Sequence, residues 1–183
     1  IFQEFQGYSV CVRTLDAGSD KPLAYATIPG EENPALGVRG IRTSGPHPQI
    51  LQNQLEAIAF AAMRQRETSV SVMAPMVSTA AEAKWFASSV RQLSERFEVE
   101  LRAGVMIEVP AAALMIDSIM EHVDFVSIGS NDLIQYTMAS DRLSPDLAEY
   151  SDPWQPAPLR LIAQVAHAGL AHGVSVSVCG EAA

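Results

Sequence analysis

AGVMIEVPAAALMIDSIMEHVDFVSIGSND, residues 103–132, decides how the rest of the chain is read. Its two apolar runs, AGVMIE from Ala103 and DFVSIG from Asp124, show almost no polar alternation. That is the pattern of parallel strands covered on both faces, not of hairpin strands with one wet face. Between them Pro110 stands where a helix would begin its first turn, a place where a missing N–H costs nothing. Ala112, Ile116, Ile119 and Val123 then follow along one side of that helix. Each strand closes on groups able to do chemistry: Glu108 after the first, Asn131 and Asp132 after the second.

The same grammar extends in both directions. YSVCVRTLD from Tyr8, SVSVMAPMV from Ser69 and VSVSVC from Val174 are further strand candidates, again mostly apolar. Leu51, Leu55, Ile58 and Ala62 share one face of a crossover helix. Thr79 and Glu82 form a capping box that opens a second helix, with Ala83, Phe86, Val90, Leu93 and Phe97 continuing the period. Pro158 is expected to open a later helix that Gly173 stops. Strand and helix in alternation give either a doubly wound open sheet or a barrel. Arg13 and Asp16, Glu108, Asn131 and Asp132, and Cys179 and Glu181 all sit at strand ends, as at the active rim of a barrel. No GxGxxG or Walker turn follows the first strand, which argues against a dinucleotide fold. The expected class is therefore α/β, a (β/α)8 TIM-type barrel. Eight units usually take about 250 residues. A chain of 183 is expected to be one domain holding a partial barrel, a fragment lacking the first and last strands.

Composition sets outer bounds. Hydrophobic residues make up 48% and charged ones 18%, which fits a globular domain and not a disordered one. Asp and Glu number 21 against 12 Lys and Arg, and a net charge of -9 argues against nucleic acid or an anionic membrane as partner. An anionic small molecule would need a local basic pocket. The two cysteines, Cys11 and Cys179, make no disulfide framework and point to a reducing compartment, the cytoplasm. Neither a signal peptide nor an apolar run of about 20 residues is present, so no membrane insertion is expected.

Arg13 lies in an apolar strand on the face of Cys11 and Leu15, so its guanidinium enters what should be core and needs an anion. A buried salt bridge with Asp16 or Glu181 is the structural alternative. Arg39 and Arg42, beside Gly37 and Gly40, are either phosphate-directed forks or surface residues. Glu108 and Asp132 could share a hard divalent cation, or Glu108 could cap the Pro110 helix and Asn131 or Asp132 a helix starting at Leu133. Arg142 and Trp154 fall in an irregular stretch from Ser140 to Pro156, the kind of long loop that often carries function. Cys179 is a candidate reactive thiol, with inert burial as the alternative. His47, His122, His167 and His172 follow no ligand spacing.

Taken together, RTLDAGSDKPL at 13–23, EENPALGVRGIR at 31–42, GVMIEVPAAA at 104–113, GSNDLIQYTMASDR at 129–142 and VCGE at 178–181 resemble the phosphoenolpyruvate (PEP)-utilising barrel domain. More narrowly the set is similar to the carboxy-terminal domain of enzyme I of the sugar phosphotransferase system, over essentially the whole chain. The departures are small: Ser19 replaces a second glycine, Ile107 and Val109 flank Glu108, and Ser130 and Ile134 replace threonines. The resemblance implies that Arg13, Arg39 and Arg142 hold the phosphoryl group, that Lys21 assists and that Asn131 contacts substrate. It implies Mg²⁺ on Glu108 and Asp132, and Cys179 as proton donor to the enolate that becomes pyruvate. It further implies a phosphoryl-accepting histidine and a docking site for a phosphocarrier protein in another domain, and dimerisation through the barrel. Pyruvate phosphate dikinase or PEP synthase, a Mg²⁺-dependent lyase or aldolase barrel, and a non-catalytic regulatory module are the competing classes.

Overall fold

The computed structural model describes residues 1–17, 23, 25–26 and 28–183. The chain folds as two compact units, one of Ile1–Met76 with Trp85–Ala103 and the other of Val77–Lys84 with Gly104–Ala183.

The first unit begins with a short 3-10 turn, Phe2–Phe5, and the strand β1, Ser9–Arg13. Helix α1, Pro48–Arg64, crosses to β2, Ser69–Ala74, which pairs with β1 in parallel from Ser9 opposite Ser69 to Arg13 opposite Met73. Leu51, Leu55, Ile58 and Ala62 are all buried on α1, as their spacing requires, and Ala59 joins them. Helix α2 runs Ala80–Phe97, and Phe86 and Val90 are its deepest large side chains in this unit.

The second unit holds the start of α2 and the strands β3 (Leu101–Ile107, from Gly104), β4 (Phe125–Gly129) and β5 (Ser175–Cys179). β4 pairs in parallel with both β3 and β5. The capping box forms: Glu82 N–H donates to Thr79 Oγ1 at 3.2 Å, and Glu82 Oε2 accepts from the backbone N–H groups of Thr79 and Ser78 at 2.9 and 2.8 Å. Close β3–β4 packing depends on Gly104, since the Phe125 ring occupies the space that a Cβ would take.

The helix after Pro110 is two short ones, α3 (Pro110–Leu114) and α4 (Ile116–Met120), because Met115 leaves the helical region at φ −102°, ψ 24°. Ala112, Ile116 and Ile119 stay buried across the break, so core packing holds the shared face. Helix α5 covers Ser130–Met138, and α6 covers Pro156–His172. Pro156, not Pro158, opens α6, since Pro158 lies buried further into its first turn, and Gly173 ends it in the left-handed region at φ 65°. β1 and β5 are not buried throughout: the faces carrying Ser9, Cys11 and Arg13, and Ser175 and Ser177, are exposed. Among the described residues no helix is long and apolar enough to cross a membrane.

Thr79→Ala removes one half of the reciprocal cap and is expected to lower unfolding free energy by about 1 kcal/mol in urea titration, while Thr79→Ser loses little.

Candidate functional site

In the first unit the chain leaves β1 with two anchors, Thr14 N–H to the Met73 carbonyl at 2.9 Å and Leu15 N–H to Gln54 Oε1 at 2.9 Å. These carry Asp16 inward, where it meets Arg39. Arg39 Nη2 donates to Asp16 Oδ2 at 2.7 Å and Nε to Oδ1 at 3.2 Å, a forked pair with both side chains 1% exposed. The fork fixes the guanidinium plane, which a lysine could not do. Arg39 is thus no surface arginine. Arg13 is: its side chain is 43% exposed and lies 3.8 Å from Asp16 Oδ2, too long for a hydrogen bond. It projects from the uncovered face of β1, not into core, and leaves the buried carboxylate to Arg39. Arg42 donates to the carbonyls of Leu36 and Gly37 at 3.2 and 3.3 Å and so braces its own loop. Gly40 is required there, because at φ 56° an added Cβ would stand 2.7 Å from Met76 Cβ. Lys21 lies outside the described residues.

In the second unit Glu108 follows β3 and is 1% exposed. The residue at the N-cap of α3 is Val109, the one after it. Gly129 makes room for it, since a Cβ at Gly129 would come within 2.5 Å of Glu108 Oε2. Helix α5 starts directly at Ser130, so Asn131 and Asp132 occupy its first turn and do not cap a helix at Leu133. Asp132 is buried there, at the end of the helix whose dipole favours a carboxylate. Glu108 and Asp132 are hard oxygen donors. Among the described residues no three His, Cys, Asp or Glu side chains form a metal cage. The donor set fits a cation that keeps water and substrate oxygens in its shell, the habit of Mg²⁺.

Ser130 and Asn131 hold the turn after β5. Ser130 Oγ donates to the Cys179 carbonyl at 2.9 Å and accepts from Ala182 N–H at 3.3 Å, while Asn131 Oδ1 accepts Glu181 N–H at 2.9 Å. Gly180, at φ 100°, has no room for a Cβ against either side chain. Cys179 is partly buried, and its thiol donates to the Ile128 carbonyl at 3.4 Å.

Asn131 and Arg142 line one cleft with Ile134, Leu143, Ser151 and Glu181. Gln135, buried on α5, accepts the backbone N–H of Arg142 at 3.1 Å and so pins the chain beyond the end of the helix. Among the described residues the Arg142 guanidinium has neither ion pair nor hydrogen bond. Ser130 and Gln135 carry structural duties that residue order did not suggest. A signal was available for Gln135, which lies four residues past Asn131 and hence on its side of the helix.

The family described as "PEP-utilising enzyme, PEP-binding domain" matches residues 1–183. A phosphoenolpyruvate-protein phosphotransferase of Streptomyces coelicolor is 48% identical over 183 residues, covering 100% of this chain and 32% of its own length. One of Haloferax volcanii is 42% identical over 188 residues, covering 99% and 33% respectively. A multiphosphoryl transfer protein of Xanthomonas campestris is 42% identical over 179 residues, 95% of this chain and 21% of its own. The chain thus spans about a third or less of these relatives. Among solved structures, a citrate lyase of Burkholderia xenovorans aligns with a TM-score of 0.52 at 14% identity over 69% of this chain and 50% of that one. That likeness shows the fold alone, an α/β architecture of the TIM-barrel type.

Asp16→Ala takes the carboxylate from a buried guanidinium and is expected to cost about 3 kcal/mol in urea unfolding. Arg13→Ala, losing only a long exposed contact, should change stability by less than about 0.5 kcal/mol.

Proposed function

Because the chain belongs to the PEP-utilising enzymes as their PEP-binding domain, we propose that it binds phosphoenolpyruvate and Mg²⁺ for a PEP-protein phosphotransferase. That enzyme passes the phosphoryl group to one of its histidines and releases pyruvate, in the service of sugar uptake. The observation that carries the reading is Arg142, a guanidinium without an internal partner among the described residues, lining a cleft with Asn131. Relatives at 42–48% identity that bear the phosphotransferase name favour this class over a dikinase or synthase. The histidine, the phosphocarrier protein that receives the group, the homodimer and the cytoplasmic setting belong to the proposal for the whole protein.

Phosphoenolpyruvate is a trianion near neutral pH, and a chain of net charge -9 can attract it only where cations are gathered. Arg142 supplies a fork without a partner among the described residues, Arg13 a part-exposed one 3.8 Å from Asp16, and Arg39 one whose plane Asp16 has already set. Lys21 adds a point charge. As the bridging P–O bond breaks in a loose transition state, these groups steady the departing phosphoryl oxygens without having to reorganise. Asn131, its Oδ1 occupied by Glu181 N–H, turns its amide NH₂ to the substrate. Glu108 and Asp132 would hold Mg²⁺, whose charge would offset the negative charge that develops on the substrate. Cys179 then gives its proton to the methylene carbon: the S–H bond breaks, a C–H bond forms, and the thiolate left behind is reprotonated from solvent.

Calorimetric titration of phosphoenolpyruvate with Mg²⁺ present tests the binding half. Arg142→Ala and Asp132→Ala are each expected to weaken affinity roughly ten- to a hundredfold, and unchanged affinity in both would overturn the site. Cys179→Ala should slow pyruvate formation by at least about a hundredfold while leaving that affinity almost intact; equal losses in both would overturn the donor role.

A further inference from the structure

Apart from one residue, β4 is a strand of apolar side chains and glycine. Phe125, Val126 and Ile128 are buried, and between them Ser127 is only 5% exposed. A hydroxyl in such surroundings must find a partner or bear the full cost of its desolvation. Ser127 Oγ donates to Cys179 Sγ at 3.7 Å and, among the described residues, hydrogen-bonds to no other group. The strand register explains the reach: Ser127 stands opposite Ser177 and Gly129 opposite Cys179, so the hydroxyl meets the sulfur on a diagonal. The thiol directs its own hydrogen to the Ile128 carbonyl at 3.4 Å, which leaves the sulfur lone pairs to receive the serine O–H.

We propose that Ser127 is the positioning residue of Cys179, holding the sulfur in place and stabilising the thiolate that remains once the proton has gone to the enolate. The inference rests on the reading of Cys179 as proton donor and deepens it. During the step the S–H bond breaks, its electron pair stays on sulfur and the proton forms the new C–H bond. Ser127 keeps its own proton throughout. A hydrogen bond to an ionised acceptor is roughly twice as strong as one between neutral groups. The serine therefore favours the state after transfer over the state before it, the condition for lowering a barrier. A purely apolar strand would pack as well but would leave the thiolate without this donor. Packing alone does not account for a buried hydroxyl whose one hydrogen-bond partner among the described residues is the reacting sulfur.

The test follows single-turnover pyruvate formation in the intact protein, with phosphoenolpyruvate affinity measured in parallel. Ser127→Ala is expected to slow pyruvate formation about tenfold with affinity changed less than about twofold. Ser127→Thr, which keeps a hydroxyl, should recover most of the rate. Added to Cys179→Ala, Ser127→Ala should slow the reaction no further, because its effect passes through the sulfur. If Cys179→Ala itself forms pyruvate at the wild-type rate, the donor reading falls and the role of Ser127 with it. If Cys179→Ala is slow but Ser127→Ala keeps the wild-type rate, slows the Cys179→Ala protein equally, or is not rescued by threonine, the role of Ser127 alone is overturned.

Discussion

Ser130 has no exposed surface, so water cannot satisfy its hydroxyl and its hydrogen bonds must be internal. It uses them to join segments 49 residues apart, giving its proton to the Cys179 carbonyl and taking the N–H of Ala182. Where α5 begins therefore dictates where the chain after β5 turns. Asn131 repeats the arrangement one residue later through Glu181 N–H. The cysteine and the first turn of α5 are thus one assembly, although they come from distant stretches of sequence.

The arginines divide their work by burial. Arg39 cannot exist in its site without Asp16, because a desolvated guanidinium needs a carboxylate of matching geometry. Its charge is largely neutralised inside the protein, and what it retains is orientation. Among the described residues the Arg142 guanidinium has no partner, and Gln135 holds its backbone N–H. Arg13 lies between these extremes, brushing the same carboxylate from the exposed side. A net acidic chain can in this way present positive charge locally without filling its interior with unpaired cations.

Much of this was legible from residue order. The apolar runs that became β3 and β4, the face of α1 and the Thr79–Glu82 cap depend on local periodicity and capping chemistry, which neighbouring residues determine. The break at Met115 was not legible, because Ala112, Ile116 and Ile119 keep helical spacing across it and stay buried on the same face. Nor was the choice of Pro156 over Pro158, since either ring suits a first turn. In the site, the strand-end position of Glu108 followed from the pattern, whereas the Asp16–Arg39 pair did not. Nothing in sequence spacing relates two residues 23 apart across a loop. Gly129 carried the faintest signal: its role is to be absent beside Glu108 Oε2, and an absence has no periodicity.

Helix α5 ends on Ala139 at φ 52°, ψ 41°, a left-handed position where glycine is the usual occupant. The methyl group carries a steric cost of roughly 1 kcal/mol in that conformation. In exchange it narrows the range open to the unfolded chain, as glycine would not. At a positive φ the strain is the larger of the two effects, so this corner keeps a stiff residue at some cost in stability. Drift of the residue toward glycine would relieve that strain and firm the fold slightly while widening the range of the unfolded tether that leads to Arg142.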